Sequence, residues 1–220
     1  MRGSVVFDTP HGAVSGVVEG PDQATTLVVL APGAGAPKTH PFMEHVSRGL
    51  ADADLRVVRF NFLYMEAGRR SPDRQPVLEE TFRGVLDSLS DERSGRRVVL
   101  GGKSMGGRMA SHVAAARVEA DGLLFLGYPL HPPGRPEKLR DRHLYDIDKP
   151  MLFVEGTRDP FCPLGTLERV RAKLPAPNEL VVIEDGDHSF KVRKSSGRST
   201  TDAWNEIVDE AASWIGALGA

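Results

Sequence analysis

Short, nearly unbroken apolar runs alternate with stretches of helical periodicity along most of this chain. That alternation constrains the fold more than any other feature. Residues 25–30, 56–62, 97–101, 122–128, 151–155 and 179–184 read as strands. Residues 41–53, 77–89, 105–117, 163–173 and 201–218 carry apolar side chains at helical spacing. Residues 4–7 and 13–19 read as a leading hairpin around Pro10-His11-Gly12, and 63–75 as a polar loop. Strands apolar on both faces belong to a parallel sheet covered on both sides. Right-handed crossovers then give a doubly wound, three-layer α/β/α sandwich with a mostly parallel sheet. Sites in such folds lie beyond the carboxyl ends of the strands.

With 220 residues, one domain spanning 1–220 is expected. A formal net charge of −2 gives no electrostatic reason to expect nucleic acid. The lone Cys162 forms no intrachain disulfide and no thiolate zinc site. No apolar stretch approaches the ~18 residues of a membrane span, and Met1 to Asp8 has no signal-peptide core. The expectation is a cytoplasmic protein without a membrane partner, a monomer or small homo-oligomer, needing no metal and no cofactor.

Gly102-Lys103-Ser104-Met105-Gly106 matches G-x-S-x-G, with an expected strand before it and a helix after it. A serine at so sharp a turn takes a strained backbone, and the flanking positions need small residues. The turn lifts the hydroxyl above the sheet at a helix N-terminus, where amides favour negative charge. A base and an orienting acid must complete such a serine, in the chain order Ser, acid, His. Of the seven histidines, only His188 follows the last expected strand. His40 and His45 fall at an earlier helix, and His112 points away from the turn. Asp159, in a turn beyond the strand 151–155, is the expected acid. Glu155 is the alternative, and Asp185 and Asp187 are local competitors. The oxyanion amides are expected from Met105 and from Ala34, with Gly35 as alternate, in the loop Pro32-Gly33-Ala34-Gly35-Ala36-Pro37.

Two nucleotide-binding patterns fail. A P-loop ending at Gly102-Lys103-Ser104 needs glycine at 97, which is Arg97, and G-x-G-x-x-G from Gly33 meets Lys38. Taken together, Gly-Lys-Ser-Met-Gly-Gly, Gly-Thr-Arg-Asp-Pro and Gly-Asp-His-Ser-Phe make residues 12–218 resemble a small α/β-hydrolase. Within that superfamily the chain is similar to dienelactone-hydrolase-like esterases and, more closely, to the testis-expressed-protein-like bacterial branch. The resemblance implies a serine hydrolase acting on small esters or related acyl compounds. Pro32 departs from the histidine that many relatives carry there. Ser104 stands where dienelactone hydrolases often use cysteine.

Residues 130–149 are too few for a separate cap domain and are expected to form a short flap carrying Leu130, His131, Leu139, Leu144 and Tyr145. Leu130, His131 and Gly35 are the expected substrate contacts. The loop 191–198, with Lys191, Arg193, Lys194 and Arg198 and no acid, reads as a solvated surface or as a guide for an anionic substrate. Two other functions fit the same residues: a non-catalytic interaction module on a hydrolase scaffold, and an acyl transferase.

Overall fold

A computed structural model describes residues 2–219, so the expected 1–220 domain runs one residue beyond the described chain at each end. The strands are β1 (Arg2–Thr9), β2 (Gly12–Glu19), β3 (Thr26–Ala31), β4 (Arg56–Phe60), β5 (Arg97–Lys103), β6 (Gly122–Leu126), β7 (Met151–Gly156) and β8 (Asn178–Ile183). They form one sheet in the order β1-β2-β4-β3-β5-β6-β7-β8. Pairing is antiparallel from β1 through β2 to β4, and parallel from β4 through to β8. The helices are α1 (Pro41–Asp52), α2 (Leu63–Glu66), α3 (Gln75–Ser88), α4 (Ser90–Arg93), α5 (Met105–Ala115), α6 (Leu164–Arg171) and α7 (Thr200–Ala217). Among the described residues, no helix is long and apolar enough to cross a membrane.

Strand β3 shows why the parallel strands are apolar throughout. Successive side chains point to opposite faces. Leu27 and Val29 therefore enter one core layer with Phe82 of α3, Val113 of α5 and Leu167 of α6. Val28 and Leu30 enter the other with Val46 of α1 and Ile207 and Ile215 of α7. The expected stripe on α7 buries Ile207, Val208, Ala211, Trp214 and Ile215, while Trp204 packs edge-on to Phe42. A capping box between Ser199 and Asp202 starts that helix.

The chain runs from β3 to its neighbour β4 on one side, and from β4 back across to β5 on the other. The crevice beyond β3 and β5 is thus a topological switch point, where ligands bind in open α/β sheets. The loops after those two strands are the ones that carry Ala34 and Ser104.

Two expectations are corrected. The stretch 63–75 is not all loop, because α2 opens it and buries Tyr64 completely. The connection after β6 is no upright flap. Leu130, Leu144 and Ile147 are fully or almost fully buried in the core, and the Tyr128 hydroxyl donates to the Arg140 carbonyl (2.9 Å), tying the connection down.

Candidate active site

Ser104 sits between β5 and α5 with φ 51°, ψ −115°, a backbone that L-residues rarely adopt. The flanking glycines are required by the neighbouring strand. A Cβ on Gly102 would lie 2.2 Å from the Ala31 carbonyl oxygen, and one on Gly106 would lie 2.1 Å from the same atom. The Ser104 N–H donates to the Leu126 carbonyl (3.0 Å), fixing the turn against β6.

His188 comes from the loop after β8, and Asp159 from the turn after β7. The two meet at Ser104: His188 Nε2 is 2.9 Å from Ser104 Oγ, and His188 Nδ1 is 2.6 Å from Asp159 Oδ2. The other carboxylate oxygen, Oδ1, accepts from the Phe161 N–H (2.7 Å), and the Phe161 ring meets the imidazole edge-on at 4.6 Å. The sequence had left three other carboxylates open, and each is engaged elsewhere. Asp187 Oδ1 accepts from the N–H groups of Ser189 and Lys191, which closes the turn that presents His188. Asp185 pairs with Arg158 and Arg193. Glu155 is fully buried on β7 and accepts from the Tyr128 N–H. Burial and the adjacent Asp159 push its carboxyl well above the usual carboxylate range.

Ala34 and Met105 line the same cavity as Ser104 and His188, a space of ≈ 550 Å³. Neither backbone N–H has a hydrogen-bond partner among the described residues. Gly35 is different: its N–H donates to the Tyr64 hydroxyl (3.1 Å), and it does not line the cavity. The alternate amide is therefore occupied. Leu130 is also displaced from its expected role, being wholly buried in the core. His131 does line the cavity, with Nδ1 3.0 Å from the Pro132 carbonyl and a buried, unpartnered Nε2.

Sequence reasoning missed the residues that brace the loop after β3. Three come from β4, the turn beyond it and α2. Tyr64 holds Gly35, Asn61 Oδ1 accepts from the Lys38 N–H (2.7 Å), and the buried Arg59 donates to the Lys38 carbonyl while paired with Glu19. The available signal was polar Arg59 and Asn61 alternating with Phe60 and Phe62 in an apolar run. His40 was also passed over. It begins α1, takes the Phe42 N–H on Nδ1 (3.3 Å) and lines the cavity. Burial, with Lys103 and Lys191 nearby, holds its pKa below the usual histidine range.

Lys103, beside the serine, ends β5. Its Nζ is buried without a hydrogen-bond partner and packs so closely on the Gly127 backbone that a methyl group there would come within 2.7 Å. The ammonium also lies 5.2 Å from the centre of the Phe190 ring. Burial lowers its pKa from 10.5 to about 8, against the attraction of Asp159, Glu155 and Asp187. Below about pH 8 the folded protein carries the cost of that charge. Between about 8 and 10.5 it sheds the proton before the unfolded chain does, so this residue makes stability rise with pH across that window. Lys103→Met is accordingly expected to raise the unfolding free energy at pH 7 by up to about 3 kcal/mol, with the gain shrinking towards pH 10. Denaturant titrations of both proteins at pH 7 and 9.5 check this, and a less stable variant at pH 7 would contradict it.

The profile of the alpha/beta hydrolase domain family matches residues 24–216. Among solved structures, a dienelactone hydrolase from Anabaena variabilis aligns at 21% identity over 99% of this chain and 98% of its own, with a TM-score of 0.78. A serine hydrolase without a lid from Xanthomonas campestris aligns at 22% identity over 100% and 96%, with a TM-score of 0.75. The esterase domain of a Rhodothermus marinus protein aligns at 15% identity over 97% of each chain, with a TM-score of 0.74.

Proposed function

Because this chain belongs to the alpha/beta hydrolase family, we propose that it is a serine hydrolase cleaving small carboxylic esters through an acyl-enzyme on Ser104. The observation that carries the reading is the unbroken hydrogen-bond series from Ser104 Oγ through the His188 ring to Asp159. In this reading His188 Nε2 takes the Ser104 proton as Oγ attacks the ester carbonyl. Asp159 fixes the tautomer with its proton on Nδ1 and balances the imidazolium. The N–H groups of Ala34 and Met105 hold the oxyanion. The imidazolium then protonates the departing alcohol. A water deprotonated by the same ring cleaves the acyl-enzyme and releases the acid. The neighbours described as an esterase domain and a dienelactone hydrolase support an ester as the substrate class.

The connection after β6 lies down on the core instead of rising as a cap, which favours small substrates. The acetate and butyrate esters of p-nitrophenol are expected to exceed the palmitate ester in kcat/KM by at least about tenfold. A preference for palmitate would contradict the substrate size. No turnover of any of these esters by the wild-type protein would overturn the hydrolase reading itself.

A further inference from the structure

Two arginines line the Ser104 cavity without a carboxylate partner. Arg108 stands one turn along α5 from Ser104, its N–H donating to the Ser104 carbonyl (3.1 Å). Its Nη1 donates to Gln75 Oε1 (3.0 Å) and lies 3.5 Å from His112 Nε2, while its Nε is buried with no acceptor. Arg140 comes from the connection after β6. Its backbone is clamped on both sides, by the Leu130 carbonyl (2.7 Å) and the Tyr128 hydroxyl, yet its guanidinium has no acceptor among the described residues.

The carboxylates nearby are engaged. Glu79 accepts from Gln75 Nε2 and Arg83; Asp73, also in the cavity wall, accepts from Arg69 on Oδ1 (2.8 Å), while its Oδ2 is buried without a partner. Burial and the charge of Arg140 lower the Arg108 pKa, so the two cations repel. By contrast, Arg59 is neutralised by Glu19, and Arg56 by Asp22 and Glu92. The basic loop 191–198 offers no such pair, because Arg193 is bound to Asp185 and Arg198 to Glu206.

We propose that the ester cleaved at Ser104 carries an oxyanion group, a carboxylate or a phosphate, held between Arg108 and Arg140. The proposal rests on the hydrolase reading for the reaction, but not for the binding. Planar guanidinium groups suit either anion in bidentate geometry.

The test has a kinetic and a binding arm. In the kinetic arm, p-nitrophenyl hydrogen glutarate places the anion in the acyl half and 4-acetoxybenzoate places it in the alcohol half. Their neutral counterparts are p-nitrophenyl butyrate and phenyl acetate. At least one anionic ester is expected to exceed its counterpart in kcat/KM by about tenfold or more. That ratio is expected to fall close to one in Arg140→Gln and Arg108→Gln, and to persist in the surface control Arg135→Gln. In the binding arm, calorimetry on Ser104→Ala with glutarate and with inorganic phosphate is expected to show saturable binding, lost when Arg140→Gln is added. The tighter ligand distinguishes carboxylate from phosphate. Binding without turnover of any ester would sink the hydrolase reading and leave the anion site standing. Turnover of neutral esters with no anionic preference and no anion binding would overturn this proposal alone.

Discussion

Ser104→Ala is expected to lower kcat/KM for p-nitrophenyl butyrate by roughly 10⁵- to 10⁶-fold, with little change in stability. Among the described residues, the only hydrogen-bond partner of its hydroxyl is His188 Nε2, so truncation removes one half-exposed bond and leaves the fold intact. The strained φ of 51° is set by the strand–turn–helix backbone, and alanine inherits it unchanged. The lone thiol is not poised to replace it. Cys162 is buried beneath Asp159 and Glu155, and burial and those acids push its thiol pKa upward, away from the reactive thiolate. Assay of the purified variant beside the wild-type protein, with melting curves for both, checks the expectation. A loss smaller than a hundredfold would place the chemistry on another residue.

Asp159→Asn is expected to lower kcat by about 10⁴-fold with little effect on KM. The reason lies in the two acceptors this carboxylate supplies. Oδ1 accepts from the Phe161 N–H and Oδ2 faces His188 Nδ1. An asparagine has one acceptor oxygen for these two positions. If its oxygen keeps Phe161, its amide N–H meets Nδ1 and forces the ring proton onto Nε2. Histidine then faces Ser104 as a donor and cannot take its proton. If the amide turns, its N–H group opposes the Phe161 N–H in a site where Asp159 is 5% exposed. The second arrangement keeps the base but costs a clash of buried N–H groups, so the first prevails; it removes the base and leaves the cavity walls in place. Steady-state kinetics show which parameter moves, and a variant with unaltered kcat would remove Asp159 from the series.

The fold was legible because its signals are local. Apolar runs gave the parallel strands and helical spacing gave the long helices to within one or two residues at their ends, while the short helices α2 and α4 went unseen. Strand β4, for example, ends at Phe60 rather than at 62. Ser104 was legible from its own pentapeptide, and Asp159 and His188 from their places after successive strands. Residues whose roles depend on distant partners were not. Tyr64 gains its role from Gly35, 29 residues earlier in the chain. Nothing in the local sequence marks Lys103 for burial; β6 and the His188 loop close around it. Leu130 and Arg140 exchanged expected importance for one reason: the Tyr128 hydroxyl draws the connection onto the sheet, burying the leucine and setting the arginine in the cavity wall.

The most direct measurement is covalent labelling with a fluorophosphonate, followed by intact mass and peptide mapping. A serine deprotonated on demand by His188 reacts with this reagent, whereas an ordinary surface hydroxyl does not. The account predicts one adduct per chain, on the peptide containing Ser104, and none on Ser104→Ala or after denaturation. An unlabelled wild-type protein, or an adduct that persists when Ser104 is replaced, would contradict it.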